Sequence, residues 1–279
     1  MPEGDTLHRL AAQLAPLLIG KTPRAFALTR QSGDTSALLA QQVTGVEARG
    51  KNLLVHFASG ISLHVHLKMW GRVFIWPLAR ARHDAGPNTV LLLDTDTHRV
   101  AVADAPVARL IRSADLTRDL HFRQLGPDLL APSFDLDEAL QRLALRRELP
   151  LGEALMDQSA VAGLGNLWKS ELCFNLKLDP FAAVAAYRDD ELRALLHMAR
   201  TLLQRSVALA PRKLPDPFTP RAPRVTRLKQ RLGEKPLSVY ERAGERCYAC
   251  GGTIQMRRQG QTQRSTYYCP RCQPPRSAA

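Results

Sequence analysis

The sequence of 279 residues predicts an α+β fold: an N-terminal β-sandwich with a long first helix, followed by a helical region and a metal-binding hairpin. Three observations support this prediction. The spacing of apolar residues is helical at the start, changes to a period of two, and returns to a helical period after about residue 135. Short strand patterns are separated by Gly, Pro and Asp. Two Cys-x-x-Cys pairs lie near the C-terminal end.

The first helix and the strands are read from this change of period. Apolar residues recur at helical spacing between Leu7 and Leu18, with Asp5 or Thr6 as a candidate N-cap and Gly20 as a stop signal. Short strands are predicted at residues 52–57, 61–67, 73–76, 89–93 and 99–103. Several short strands joined by turn residues are typical of a β-sandwich.

The second half of the chain is predicted to be helical. Helices are expected near residues 136–147, 152–157, 165–176 and 189–209. Five prolines among many bases predict a long mobile loop at 211–236. The predicted division is a β-sandwich domain at 1–124, a linker at 125–134, a helical domain at 135–236 and a hairpin domain at 237–279.

Four of the five cysteines form two pairs with eighteen residues between them. This spacing is typical of a structural zinc site with four thiolate ligands, and disulfide bonds are the alternative. The predicted ligands are Cys247, Cys250, Cys269 and Cys272. The fifth, Cys173, lies between Leu172 and Phe174 on a predicted helix, where a buried, inert thiol is expected.

The net charge of +13 is concentrated at one end of the chain. Residues 211–279 hold 15 Lys and Arg against four acidic residues. Such a block predicts a polyanionic partner, because neutralising phosphates releases counterions, and a solubilising tail is the alternative. The acidic residues near the start and the lack of long apolar runs argue against a signal peptide and against a membrane span. A cytoplasmic protein is expected.

Two glycines precede an asparagine at the start of a predicted helix, in the stretch Gly163-Leu-Gly165-Asn166. The free N–H groups of the first helical turn and the Asn166 amide are suited to binding a phosphate. A packing joint between two helices would use the same glycines. Both interpretations remain open on this motif alone.

Three segments together resemble the formamidopyrimidine-DNA glycosylase and endonuclease VIII family of base-excision repair enzymes. They are the start MPEG, the segment MDQSAVAGLGN and the ending CYACGGTI…RSTYYCPRCQ. The resemblance implies that the helical domain is a helix–two-turn–helix domain with a zinc-finger β-hairpin. It also implies a monomeric DNA glycosylase and AP lyase that binds damaged double-stranded DNA between its domains and holds one structural zinc ion.

The resemblance assigns catalytic roles to Pro2, Glu3 and Lys51. With Met1 removed, Pro2 would offer a secondary amine that attacks C1′ of a damaged nucleotide and forms a Schiff base. Glu3 would deliver a proton as the sugar ring opens, although a carboxylate beside a helix start is also a common capping group. Lys51 would contact the phosphate beside the lesion, although a lysine after a glycine is ordinarily a solvated turn residue.

The same resemblance indicates residues that contact DNA. The expected set is His66, Lys68, Met69, Trp70, Asn166 and Arg264. Met69, with its two neighbours, matches the wedge that fills the stack when a nucleotide is everted. A methionine in the protein core and a structural histidine are the alternatives for Met69 and His66. Arg264 matches an arginine of the zinc hairpin that holds phosphates.

The chain departs from the guanine-lesion branch of the family at two places. Its opening continues with Asp5-Thr6 in place of Pro-Glu, and the stretch 104–109, DAPVAR, lacks an Arg-Phe element that probes the opposite strand. These departures favour an endonuclease VIII-like enzyme that removes oxidised pyrimidines. The family resemblance implies that it cleaves the strand by β,δ-elimination. The alternatives are a preference for oxidised purines and a DNA-binding protein that has lost catalysis.

Overall fold

The computed structural model describes residues 2–29, 36–83, 86–208 and 237–276. The loop predicted at 211–236 lies outside the described residues. Contacts between Cα atoms divide the described chain into two compact units, one of residues up to Arg123 and one that begins at Gln124. Among the described helices, none combines the length and the apolar character needed to cross a bilayer.

The first unit begins with helix α1, Gly4–Leu18. Its N-cap residue is Glu3, so the predicted caps Asp5 and Thr6 are wrong by two to three residues and lie in the first turn. Asp5 instead forms a buried ion pair with Arg9, one turn further along, at 3.3 Å. The buried stripe of α1 packs against the sheet that contains Val43–Arg49, as expected for an amphipathic helix.

Eight antiparallel strands form two four-stranded sheets among the residues described for this unit. The strands are β1 Ala25–Leu28, β2 Val43–Arg49, β3 Asn52–Phe57, β4 Ile61–His66, β5 Arg72–Pro77, β6 Thr89–Asp94, β7 His98–Ala103 and β8 Val107–Arg112. The sheet orders are β1-β6-β7-β5 and β2-β3-β4-β8. Apolar side chains from both sheets and from α1 share one core, which confirms the predicted β-sandwich with its first helix. A short helix, α2 Leu120–Arg123, ends the unit.

Three strands were missed by the sequence prediction: β1, β2 and β8. β2 and β8 carry charged residues at partly exposed positions, and β1 has only four residues. The alternation of apolar and polar residues in these three strands is therefore weak. They become strands because they pair with the buried strands beside them. β4 ends at His66, one residue before the predicted Leu67.

The described part of the second unit contains four α-helices and a β-hairpin. The helices are α3 Leu136–Ala144, α4 Leu151–Ala154, α5 Asn166–Asn175 and α6 Asp189–Ala208. α3 and α4 are shorter than predicted, and the stretch around Asp128 makes a bridge with Ala162. One apolar core joins the helices. This is the helical domain of the predicted α+β fold.

The hairpin consists of β9 Gln255–Gln259 and β10 Arg264–Tyr268. It packs closely on α4, because a Cβ atom on Gly152 would lie 2.5 Å from Oε1 of Gln259. Gln259 also donates from Nε2 to the carbonyl oxygen of Pro180 at 2.8 Å. β10 packs along α5. The hairpin is thus fixed to the helices along one side.

Candidate active site and metal centre

Pro2 and Glu3 lie directly before helix α1. Pro2 is half-buried, and Glu3 is only 1% exposed. Within the described part of the first unit, the Glu3 side chain makes no capping hydrogen bond to α1. The carboxyl group is therefore buried beside Pro2 and does not cap α1.

Lys51 lies in the tight turn between β2 and β3. Gly50 takes the left-handed conformation, with φ of 56°, which a glycine adopts without strain. Asn52 closes the turn, since its Nδ2 donates to the carbonyl oxygen of Arg49 at 2.9 Å. Lys51 is largely buried here, so it is not the freely solvated turn lysine considered as the alternative.

A network of polar side chains supports this turn. Oδ1 of Asn52 accepts hydrogen bonds from Nε2 of His64 and from Nε2 of His121, each at 2.9 Å. Nδ1 of His64 accepts from Nε of Arg109 at 3.2 Å, and Arg109 pairs with Asp119 at 2.7 Å. Because an arginine can only donate, the hydrogen of the His64 ring is on Nε2. One asparagine oxygen therefore joins β3 to β4 and to α2.

The histidines of this region are held neutral. Burial, and then the positive charge of Arg109, lowers the pKa of His64 to about 3. Burial, and then the charge of Lys68, lowers the pKa of His66 to about 3. Burial also lowers the pKa of His121. Each ring therefore acts near neutral pH as one hydrogen-bond donor and one acceptor.

The turn between β4 and β5 presents large side chains to solvent. Met69 is 48% exposed and Trp70 is 75% exposed, so Met69 is not a core residue. Lys68 has a positive φ of 47°, and its N–H donates to Nδ1 of His66 at 3.0 Å. Gly71 closes the turn, because a Cβ atom there would lie 2.6 Å from the carbonyl oxygen of Leu67.

In the second unit, Asn166 opens α5 after Gly165. Its Oδ1 accepts from Nζ of Lys169 at 3.3 Å. The same ammonium group donates to Oγ1 of Thr266 at 2.7 Å and to the carbonyl oxygen of Ser265 at 3.2 Å. The start of α5 is therefore bonded to β10, whose first residue is Arg264.

A second residue of α5 fixes the chain where it approaches the hairpin. The Glu171 carboxylate is buried and accepts hydrogen bonds from the backbone N–H groups of Ser238, Val239 and Tyr240 at 2.8–2.9 Å. In the same helix, burial raises the pKa of the Cys173 thiol to about 12. This confirms the interpretation of Cys173 as an inert core residue.

The four paired cysteines cluster at the base of the hairpin. Their Sγ atoms all lie within 4.8 Å of one another, and two of the separations are 3.4 Å (Cys250 to Cys269) and 3.8 Å (Cys247 to Cys272). A disulfide bond would need about 2.05 Å, so this alternative is wrong. A tetrahedral zinc ion with bonds of about 2.3 Å places its sulfur ligands about 3.8 Å apart. The geometry fits one closed, structural site.

Three family models match consecutive parts of the chain. The formamidopyrimidine-DNA glycosylase N-terminal domain matches residues 1–110, and the formamidopyrimidine-DNA glycosylase H2TH domain matches residues 125–214. The zinc finger found in FPG and IleRS matches residues 244–275. A probable endonuclease 8 2 of Streptomyces coelicolor is 34% identical, over 98% of this chain and 94% of its own length. The chain belongs to the formamidopyrimidine-DNA glycosylase family.

Further relatives lie in the same family. A DNA-(apurinic or apyrimidinic site) lyase Nei2 of Mycolicibacterium smegmatis is 35% identical, over 98% of this chain and 99% of its own length. A formamidopyrimidine-DNA glycosylase from Lactococcus lactis, solved with DNA containing an AP site, has a TM-score of 0.80 at 21% identity, over 98% of this chain and all of that one. At this identity, the similarity to the Lactococcus lactis structure shows a shared fold only.

Family membership fixes the class of enzyme and the metal. The chain is a DNA glycosylase and AP lyase of the formamidopyrimidine-DNA glycosylase family. Its cysteine cluster, within a matched zinc-finger model, is the site of one structural zinc ion. Four thiolates complete the coordination, so zinc supplies folding stability and leaves no open position for a substrate.

Sequence reasoning missed the residues that support the predicted site residues of this family member. They are Asn52, His64, Arg109, Asp119, His121, Lys169 and Glu171. His64 was missed because it is one of the polar residues in an ordinary alternating strand pattern. Asn52 was missed because asparagine is common in turns, and only its position directly after Lys51 set it apart. For the second unit, the available signal was the presence of Lys169 and Glu171 in a helix predicted to pack in the core, since buried charged residues are uncommon.

The asparagine at the centre of the network gives a first prediction. Asn52→Leu is expected to lower the free energy of unfolding by about 2–4 kcal/mol, because the N–H donors of His64 and His121 lose their acceptor. Cleavage of abasic DNA should fall as well, since the turn that carries Lys51 loosens. Urea unfolding and single-turnover cleavage are the measurements. Gln124→Leu, at an exposed site, is the control, and equal stability of the two variants would contradict the prediction.

Proposed function

We propose that the chain removes oxidised bases from damaged double-stranded DNA and then nicks the abasic strand through a Schiff base on Pro2. The observation that carries this proposal is the placement of the first residues. Pro2 stands before α1, and the buried carboxyl group of Glu3 stands beside it. An amine that forms a covalent bond and an adjacent acid are the two groups the reaction requires.

The chemistry follows from the proline nitrogen. After removal of Met1, its lone pair attacks C1′ of the damaged nucleotide, and the bond from C1′ to the base breaks. The base leaves with that electron pair and takes up a proton. Glu3 delivers a proton to the sugar oxygen as the ring opens, which leaves an iminium ion. Loss of a proton from C2′ then expels the 3′ phosphate, a further elimination expels the 5′ phosphate, and water releases the amine.

The amine of Pro2 is suited to neutral pH. A chain-terminal amine titrates about two to three units below a lysine side chain. The positive end of the α1 dipole lies two residues away and disfavours a further positive charge. Both effects increase the fraction of the neutral, nucleophilic form.

The remaining predicted residues are proposed to hold DNA. Lys51 would contact the phosphate beside the lesion. His66 would donate to a phosphate from Nε2, because its Nδ1 already accepts from the backbone N–H of Lys68. Asn166 and Arg264 would bind further phosphates from the second unit.

The exposed turn after β4 supports a wedge. Met69 is a flexible apolar side chain in a turn that is fixed at both ends. We propose that it enters the stack vacated by the everted nucleotide, with Lys68 and Trp70 beside it. We further propose that the enzyme acts as a monomer in the bacterial cytosol or nucleoid.

A trapping experiment tests the function. Borohydride reduction of the protein with abasic duplex DNA should give a covalent complex, and mass spectrometry of the digested complex should place the DNA on Pro2. A protein that only binds DNA would retard it on a gel and give no trapped species. A complex linked through a lysine would overturn the proposed nucleophile.

The lesion class is inferred from the connection between β7 and β8. It contains only Asp104, Ala105 and Pro106. Asp104 accepts from Nε of Arg72 at 3.0 Å and from Nδ2 of Asn88 at 2.7 Å. A turn this short, with small side chains, offers no arginine or aromatic group to the strand opposite the lesion. This supports a preference for oxidised pyrimidines over 8-oxoguanine paired with cytosine.

This inference gives a second prediction. Under single-turnover conditions, thymine glycol and dihydrouracil should be released at least about tenfold faster than 8-oxoguanine opposite cytosine, since one well-placed contact in recognition is worth about that factor. The same duplex sequence with each lesion in turn is the matched substrate set. Dominant release of 8-oxoguanine would reverse the assignment and favour the purine-lesion branch.

A further inference from the structure

Lys169 is a buried cation inside a helix. Its side chain is only 1% exposed, and it is the largest of the fully buried side chains. Removing an ammonium group from water is unfavourable unless hydrogen bonds replace its hydration. An apolar residue would fill the same space without that cost, so packing alone does not account for the lysine.

The contacts of Lys169 join two elements that are distant in sequence. Nζ donates to Oδ1 of Asn166 within α5, at 3.3 Å. It also donates to Oγ1 of Thr266, at 2.7 Å, and to the carbonyl oxygen of Ser265, at 3.2 Å, both in β10. These two residues follow Arg264 directly in the strand.

We propose that Lys169 is a positioning residue for phosphate binding, which orients the Asn166 amide and sets the zinc hairpin in place beside it. This inference rests on the proposed function, in which Asn166 and Arg264 bind DNA phosphates. The chemical class of ligand is the phosphodiester backbone of DNA.

Orientation of the amide is the first effect. An asparagine can present either its oxygen or its nitrogen, and an oxygen facing a phosphate would repel it. Because the ammonium group engages Oδ1, the amide offers its N–H donors to the anion. A hydrogen bond from a cation to the amide oxygen also polarises the amide and strengthens its donors.

Positioning of the hairpin is the second effect. Lys169 and Arg264 line one cavity of about 480 Å³ within the second unit, together with Gln259 and residues of α4. Oγ1 of Thr266 in turn donates a hydrogen bond to Oε1 of Gln259 at 2.9 Å. The bond from Lys169 to β10 therefore fixes the strand at whose start Arg264 stands.

A double-mutant cycle separates this role from a purely structural one. The variants are Lys169→Met, Asn166→Ala and the combination of both, and Lys177→Met removes an exposed lysine of the same unit as the charge-matched control. The measurement is the Kd for duplex DNA that contains a tetrahydrofuran abasic analogue. Circular dichroism and zinc content report whether each variant is folded.

The expected result is coupling between the two residues. Asn166→Ala and Lys169→Met should each weaken binding about tenfold, the loss expected for a charge-assisted hydrogen bond. The combined variant should lose less than the product of the two single losses, because part of the effect of Lys169 acts through the amide it orients. Lys177→Met should bind as the unaltered protein does. In cleavage assays, the loss for Lys169→Met should appear more in KM than in kcat.

Two outcomes would overturn the inference: unchanged binding by Lys169→Met, or losses that multiply in the combined variant. If Lys169→Met does not fold, Thr266→Val takes its place in the same cycle, because it removes the nearest acceptor of the ammonium group in the hairpin. Failure of the proposed function is detected separately, since the unaltered protein would then give no borohydride-trapped complex.

Discussion

One extra alanine between Met1 and Pro2 is expected to lower the cleavage of abasic DNA by more than about a thousandfold, the scale seen when a nucleophile is lost. The addition turns the proline nitrogen into a tertiary amide. Its lone pair is then delocalised into the carbonyl group and cannot attack C1′. The borohydride-trapped complex should disappear as well.

The control for this experiment is an alanine added after Ala279, which leaves the first residues unchanged. Binding to the tetrahydrofuran analogue should remain measurable in both variants, because the proposed phosphate contacts are intact. Full cleavage by the protein with the additional N-terminal residue would remove Pro2 from the mechanism. Mass spectrometry of the intact protein must confirm which residue begins the chain.

The second large effect is expected from the zinc site. Cys269→Ser should lose the metal, unfold the hairpin and weaken DNA binding by about tenfold to a hundredfold, since Arg264 loses its support. Apart from the cysteines, the buried apolar residues described in the core at the base of the hairpin are Val239 and Ile254, with Phe174 and Tyr267 partly buried against them. A core this small contributes little stability of its own, and zinc supplies about 10–16 kcal/mol in comparable sites.

Zinc content, circular dichroism and gel retardation measure these losses. Cys173→Ala is the matched control, because that thiol is buried among the helices and lies outside the cluster. It should retain one zinc ion per chain. A Cys269→Ser protein that binds DNA as tightly as the unaltered protein would show that the hairpin is dispensable.

Secondary structure and the zinc site could be predicted from the sequence where residues adjacent in the chain determine the local conformation and burial. Strand β3 was predicted with its observed ends, because its residues 52–57 are buried nearly throughout. The cysteine spacing predicted the zinc site, since ligand geometry depends on short local turns. β2 and β8 were missed because their pairing partners, and not their own patterns, define them.

The candidate site was predictable only in part, for a related reason. Motifs indicated Lys51, Asn166 and Arg264, which are proposed to touch DNA. The groups that hold them come from other elements: His121 supports the turn of Lys51 from α2, and Thr266 supports the start of α5 from the hairpin. No local pattern reveals such partners, because contact between them exists only after the chain has folded.

The hydrogen bond from His121 to Asn52 spans 69 positions of the chain. Ribosomes add about 5–20 residues per second, so roughly 3–14 s pass between the synthesis of the two partners. His64 is added only 12 positions after Asn52, so for most of that interval the chain contains one of the two imidazole partners of Asn52 and lacks the other. Assembly of the hydrogen-bond network around Asn52 is therefore timed by translation, and it is completed only after His121 has been added near the end of the first unit.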